Sequence, residues 1–477
     1  MQQKINNNRF SIMEQKIVNE IRKIVDESRV LTDKSDLYAY GFDASIHHAM
    51  PDVVVRVKNA EEVEKIVGIA NQYLIPVVAR GAGTGLSGQA VPIEGGILLD
   101  MTSMNRIKEI HIEDLYCVVE PGVIYAKLNE ALAEYGFFFP PSPGSGDVCT
   151  IGGMIAANAS GMRAIKYGAT RDYILGMEVV FPHGRVRFGS RTLKNSAGYQ
   201  IERLMVGSEG TLGIITEATL RVSPLPEKRG VALASFDDVV KAGEGVAAII
   251  GSGLIPSALE IMDHVCIQAV NNAMDIGLPD VEAILLIEVD GKEGEVRENI
   301  KKVAEILKGR AKNIEFTYDD EEMANLWKGR KGVLPSLSRY GEDRVSVSLA
   351  DDMCVPISKI PYAIKEFQEI AKKYNIIIGT YGHAGDGNLH TKVLINPKEE
   401  DEWKRAEKAV AEIYKAVERL GGIASGEHGI GISKAPWING DVETMEMIKK
   451  AIDPNNIMNP GKMTQWKGSI ISHLRYR

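Results

Sequence analysis

Three stretches in the first half of the chain are built almost entirely from residues with little or no side chain: RGAGTGLSG (80–88), TIGGMIAANASG (150–161) and GSEGTLGIITE (207–217). Such stretches bury little apolar area and make poor core. They make sense where backbone must approach a flat ligand closely, because an absent Cβ costs nothing there. A fold for this chain therefore has to present bare backbone at three separated places.

The first stretch follows a recognisable unit. VVVRV (53–57) is a β-branched run and predicts a strand. Asn59 is placed to cap the helix EEVEKIVGIANQY, with Glu61 and Glu62 in its first turn. IPVVAR is the second strand, so the segment predicts a βαβ unit with a right-handed crossover. It delivers the chain to Gly83-Thr84-Gly85-Leu86-Ser87-Gly88, a letter-for-letter G-x-G-x-x-G. The dinucleotide fingerprint needs a helix to open there. Pro92 and Gly95-Gly96 argue against one, and ILLDM beyond them predicts a strand. The loop is thus either a plain turn or a nest of amides that cradles a phosphate without a helix N-terminus.

Length and patterning divide the remainder. A chain of 477 residues is too long for one ordinary core. Ile and Val recur at helical spacing over 11–30. ILLDM, CVVEPGV, MEVVFPHGRVRFGS and GIITEATLRVSP predict strands, and AKLNEALAEYG predicts a helix. After PLPEKRG (224–230) long amphipathic helices alternate with the strands AILLIEVDG and RVSVSLADD, which predicts an α+β unit with an antiparallel sheet. The expected divisions are a helical segment at 1–50, a ligand-binding domain at 51–226, a cap domain at 227–420 and a returning segment at 421–477.

Composition excludes several classes. Acidic side chains outnumber basic ones, 64 to 56, and no basic stripe is present, so nucleic acid is not an expected partner. Cys117, Cys149, Cys266 and Cys354 form no C-x-x-C pair, which excludes an iron–sulfur cluster or a four-cysteine zinc site. They read as reduced core thiols of a cytoplasmic protein. Neither a signal-peptide h-region nor a membrane-length apolar run is present, which fits that location.

A second constellation lies towards the C-terminus. IIIGTYGHAGDGNLHTKVLI (376–395) predicts a hairpin around Gly385-Asp386-Gly387-Asn388, with His383 and His390 on its two arms. Paired imidazoles are half of a metal site. Gly426-Glu427-His428-Gly429, after a helix that Gly421 and Gly422 terminate, offers a carboxylate and a third imidazole. Two histidines and a carboxylate suit Zn(II), Fe(II) or Mn(II) with positions left open.

RGAGTGLSG, TIGGMIAANASG and GSEGTLGIITE, in this order and spacing, resemble the FAD domain of the vanillyl-alcohol oxidase/p-cresol methylhydroxylase (PCMH) superfamily. The resemblance implies a two-subdomain PCMH-type FAD-binding domain. It implies FAD contacts at Arg80, Gly81, Gly83, Thr84, Gly85, Gly88, Pro143, Ser145, Gly152, Gly153, Ala157, Gly161 and Ile215. Some members attach the flavin through a histidine in the first loop. Thr84 stands near that place, so non-covalent FAD is expected. YGHAGDGNLH, SGEHGIG and DPNNIMNPGKM resemble the glycolate oxidase/D-lactate/D-2-hydroxyglutarate dehydrogenase branch. This implies metal ligation by His383, His390 and Glu427, with His428 as base.

The same branch holds its substrate carboxylate with an arginine. Arg330 in LWKGRK is the choice over Lys331, because a guanidinium binds a carboxylate bidentately. Lys392 departs from an Asn found in some relatives, and the extra polar groups of diacid-reading members have no counterpart here, which favours a short monoacid. The implied activity is oxidation of a 2-hydroxy acid, D-lactate first, with glycolate or D-2-hydroxyglutarate as alternatives. The implied acceptor is a partner protein. An electron-transferring flavoprotein of an electron-bifurcating complex is expected, with an iron–sulfur subunit or a quinone as the alternative. A metallohydrolase, or a non-redox FAD enzyme such as the ether-lipid synthases, would use the same residues differently.

Overall fold

The computed structural model describes residues 15–341, 343–438, 440–469, 471 and 473–474. Part of the helical pattern over 11–30 lies outside them. Residues 15–21 are helical, and Asp26 then caps a separate short turn at Glu27–Arg29 by accepting from the Ser28 amide.

The first sheet has the spatial order Val30–Leu31, Val53–Arg56, Ile97–Asp100, Val77–Arg80. Its last three strands run parallel. Between the strands at 53 and 77 lies the helix Ala60–Tyr73, capped by Asn59, whose side chain accepts from the Glu62 amide at 2.9 Å. Val63, Ile66, Val67 and Ala70 form its buried stripe, at the i, i+3, i+4, i+7 spacing of one helical face. Each of the larger ones contributes about 1.5–3 kcal/mol by burial against the sheet. The loop at 81–96 contains no helix, as Pro92 and its glycines predict.

The second sheet is antiparallel, in the order Ile107–His111, Tyr116–Val119, Ile214–Arg221, Ile174–Phe181, Gly184–Gly189. The run MEVVFPHGRVRFGS is therefore not one strand but a hairpin that turns at Pro182-His183. TIGGMIAANASG holds a short helix, Ile151–Ala157, which composition hides. Gly152 and Gly153 cost it about 1 kcal/mol each. It forms because Ile151, Met154 and Ile155 are buried and Thr150 caps it.

The third sheet holds the chain's largest core. Its order is Asn313–Thr317, Lys228–Phe236, Ala283–Gly291, Ala258–Asp263, Ile377–His383, Asn388–Ile395, Val345–Val347, all antiparallel. The helices Val239–Gly251, Glu293–Leu307, Ile360–Tyr374 and Glu400–Arg419 supply residues to one apolar cluster with this sheet. His264–Ala273 and Val333–Leu337 contribute to a second. RVSVSLADD is a strand only over Val345–Val347. The chain then turns, and Asp352 takes a left-handed backbone (φ 66°).

A short helix, Ala164–Tyr167, ties the first half to this sheet. Arg163 pairs with Glu288 at 3.2 Å, Lys166 with Asp290, and the Tyr167 hydroxyl donates to Asp290 at 2.7 Å. Both carboxylates are buried on the strand Ala283–Gly291. Among the described residues no helix is long and apolar enough to cross a membrane.

Candidate active site

A cavity of about 580 Å³ runs between the three small-residue stretches and the cap sheet. At one end it is lined by Arg80, Gly81, Gly83, Thr84, Gly85, Pro143, Ser145, Gly152, Gly153, Ala157 and Ile215. At the other it is lined by Arg330, His383, His390, Glu427 and His428. The two constellations singled out from the sequence thus face one space. Gly88 and Gly161 do not line it. A Cβ on Gly161 (φ 121°) would lie 2.0 Å from the Ser142 carbonyl, and one on Gly88 would press on His47 and Ile432. Gly161 lets neighbouring backbone, and Gly88 neighbouring side chains, close in behind the cavity wall. Gly81 does line it, and a Cβ there would lie 2.1 Å from Thr150 Oγ1.

The hairpin arms Ile377–His383 and Asn388–Ile395 pair His383 with Asn388 and Tyr381 with His390. His383 and His390 are therefore diagonal neighbours on one face, within reach of long side chains. Their Nε2 atoms lie 3.3 Å apart. Glu427 Oε1 lies 3.4 Å from His383 Nε2, 3.3 Å from His390 Nε2 and 3.3 Å from His428 Nε2.

The outer nitrogens decide what this cluster can hold. His383 Nδ1 meets Glu260 Oε1 at 2.7 Å. His390 Nδ1 faces Asp351 Oδ1 at 3.3 Å, and His428 Nδ1 faces Asp351 Oδ2 at 3.2 Å. A carboxylate only accepts, so His383 Nδ1 carries a proton and its neutral ring turns the Nε2 lone pair inward, whereas the two Asp351 contacts are ion-pair distances without hydrogen-bond geometry. Three Nε2 atoms and a carboxylate oxygen thus converge on one point, a nitrogen and oxygen donor set of the kind that surrounds a cation. Burial pulls the His383 ring down, but Glu260 and Glu427 outweigh it and hold the ring well above its ordinary range. His428 behaves likewise and is pushed up to about 9 by Asp352 and Asp351 against its burial. Glu427 is held well below the carboxylate range, burial being outweighed by His383 and the other two rings. The donor set fits a divalent cation.

Asp352 also has an oxygen within 4.8 Å of the His390, Glu427 and His428 ligand atoms. It is already committed. Its carboxylate accepts from the Glu427 amide (2.9 Å), the His428 amide (2.8 Å), Asn388 Nδ2 (2.9 Å), Ser425 Oγ (2.7 Å) and Lys434 Nζ (2.6 Å). His383, with its lone pair directed inward, is the better ligand.

Arg330 sits in the last turn of the helix Asp320–Lys331 and is buried. Its Nε donates to Glu260 Oε2 at 2.6 Å, and its guanidinium lies 4.7 Å over the Tyr381 ring. Nη2 lies 2.5 Å from the same Glu260 oxygen, so this edge of the guanidinium is committed to Glu260 while the side chain lines the cavity. Glu260 therefore braces Arg330 and His383 together. Burial raises its carboxyl, and Arg330 and His383 outweigh that and lower it. Lys392 is fully buried and tied to Asp351 and to Ser348 Oγ (2.8 Å). It offers no free charge to a second substrate carboxylate.

Sequence reading missed Glu260, Asp351 and Asp352. For Glu260 a signal existed: a lone carboxylate within Ala258-Leu259-Glu260-Ile261-Met262, a strand buried at every position. For the aspartates, LADD gives none.

The chain matches the FAD binding domain family over residues 51–189 and the FAD linked oxidases, C-terminal domain family over residues 225–463. Glycolate oxidase subunit GlcD of Bacillus subtilis is 40% identical over 433 residues, 89% of this chain and 91% of the relative. D-lactate dehydrogenase of Archaeoglobus fulgidus is 36% identical over 461 residues, 94% and 99%. The mitochondrial D-lactate dehydrogenase [cytochrome] of Arabidopsis thaliana is 36% identical over 457 residues, 94% and 80%. Among solved structures, p-cresol methylhydroxylase with substrate bound superposes with a TM-score of 0.77 at 19% identity, covering 94% of this chain and 96% of that one. Alkyldihydroxyacetonephosphate synthase does so with 0.75 at 20% identity, covering 93% and 85%. The fold is thus that of the PCMH-type flavoproteins, as the glycine segments imply. The chain belongs to the FAD-linked oxidases and is an FAD-dependent oxidoreductase.

Proposed function

We propose that this enzyme oxidises a short 2-hydroxy acid, D-lactate to pyruvate as the first choice and glycolate as the second. The observation that carries this reading is the convergence of three inward-facing imidazoles and Glu427 beside Arg330, at one end of the flavin cavity. A metal-chelating hydroxyl and a carboxylate side by side match that pair. The relatives named for glycolate and D-lactate support the same substrate class.

When bound, non-covalent FAD supplies the hydride acceptor, and a divalent cation (Zn, Fe or Mn) held by His383, His390 and Glu427 supplies Lewis acidity. Arg330, braced by Glu260 and lining the cavity beside the cluster, holds the substrate carboxylate. His428 takes the hydroxyl proton at Nε2 as general base. Asp351, facing His428 Nδ1 at 3.2 Å, orients the ring and stabilises the imidazolium that forms. Lys392 is neutralised by Asp351, which leaves a second substrate carboxylate one cation fewer and favours a monoacid. A partner protein would take up the electrons that the substrate gives up. We assign an electron-transferring flavoprotein of a bifurcating complex to that role, with an iron–sulfur subunit as the second choice, since the relative from Bacillus subtilis is itself named as a subunit.

The test is anaerobic. Addition of D-lactate bleaches the flavin absorbance of the metal-replete protein, and chelation abolishes the effect. Bleaching by D-2-hydroxyglutarate alone overturns the monoacid reading. Bleaching that survives complete chelation overturns the metal's role.

A further inference from the structure

The loop that carries Glu427 and His428 is held from both sides by different halves of the molecule. From the cap, Asp352 accepts the amides of Glu427 and His428. From the flavin side, Glu209 accepts the Ile430 amide at 2.5 Å and the Gly431 amide at 2.8 Å. Gln89 Nε2 donates to the His428 carbonyl, Ser87 Oγ donates to the Gly429 carbonyl at 3.2 Å, and the Ile432 amide donates to the Ser87 carbonyl at 2.8 Å. The contact is close. A Cβ on Gly431 would lie 2.1 Å from the Ser87 carbonyl oxygen, and one on Gly429 would lie 2.5 Å from Glu209 Oε1.

Gln89 and Glu209 themselves line the flavin cavity, the first just past the Gly83–Gly88 loop and the second within GSEGTLG. The side chains that fix the metal and base loop thus grow out of the backbone that cradles the flavin. We propose that Gln89 and Glu209 are positioning residues that couple the two sites, so that flavin binding tightens metal binding and metal binding tightens flavin binding. A bound flavin fixes both cradle segments. Those segments fix residues 428–431 and so, together with Asp352 from the cap, the distance of Glu427 from His383 and His390. The coupling rests on the metal reading above. By linkage it has one value, whichever ligand is varied.

The test is a binding cycle on the full chain. FAD affinity is measured with saturating Zn2+ and again with chelator, and Zn2+ affinity with and without FAD. The expected result is FAD binding at least about fivefold tighter with Zn2+, and Zn2+ binding tightened by the same factor, within the usual range of coupling. In Gln89→Leu and Glu209→Gln the factor falls below about twofold, although Zn2+ still binds the FAD-loaded protein. A melting temperature would not distinguish this role from plain packing; the coupling factor does. Equal FAD affinities with and without Zn2+ in the unaltered chain overturn the coupling, whether or not either variant folds. A factor that survives both substitutions overturns the assignment to these residues. Failure of Zn2+ to bind the FAD-loaded protein overturns the metal reading underneath.

Discussion

The two ends of the cavity are built by opposite means, and the proposed ligands would be recognised accordingly. At the flavin end the wall is backbone and small side chains, and the positions that matter are those where a methyl group would collide. At the substrate end, buried charged side chains each have assigned partners: Glu260 with Arg330 and His383, Asp351 with Lys392, His390 and His428. A flat, extended cofactor is bound by shape over many weak contacts. A small acid offers few atoms, so its binding and activation are concentrated in a few strong, desolvated contacts. Damage should therefore be spread out at one end and concentrated at the other.

The largest expected effect is at the charged end. His428→Ala lowers kcat for D-lactate by about a thousandfold or more while FAD stays bound, as removal of a general base does. Steady-state kinetics beside the flavin spectrum checks it, and a loss under tenfold would deny His428 that role. Arg330→Lys comes next. It removes the planar fork and raises KM by roughly 10- to 100-fold, the value of about 1.5–3 kcal/mol for hydrogen bonds to a charged group. An unchanged KM would place the carboxylate elsewhere. Asp351→Asn frees the outer nitrogens of two rings and lowers metal affinity or activity by about 10- to 100-fold, measured by metal titration of the variant. At the other end Gly81→Ala, crowded against Thr150, costs about 1–3 kcal/mol of local strain. It weakens FAD binding with little change in kcat of the loaded enzyme. A change in kcat instead would erase the division between the two ends. Ser160→Ala is the mildest, because its bond to Glu427 Oε2 is long at 3.4 Å. About threefold in metal affinity is expected, the low end for one hydrogen bond.

The backbone end was the more legible in sequence, because runs of small residues are costly as core and so announce a ligand. His383 and His390 were legible for a different reason, since the Asp386-Gly387 turn fixes which arms meet. Glu260 becomes a partner of His383 only through the pairing of Ala258–Asp263 with Ile377–His383, strands more than a hundred residues apart in the chain. No local pattern reports such a register. Asp351 and Asp352 looked like the solvated end of a strand. They are buried because the strand stops early at Val347 and the chain turns inward. The helix Ile151–Ala157 was hidden by the glycines that suggested a ligand, its formation depending on buried neighbours and one cap.

The short helix Ala164–Tyr167 has a consequence for the protein's ancestry. Glu288 and Asp290 lie buried on the cap sheet, and their cations come from the other half of the chain. A cap separated from that half would keep two anions in an otherwise apolar strand. Breaking a buried pair costs about 3–5 kcal/mol, a large part of the 5–15 kcal/mol that holds a typical domain folded. The two halves should therefore melt in a single calorimetric transition. A cap borrowed from a relative through recombination would be accepted only where its new host supplied matching cations at positions 163 and 166.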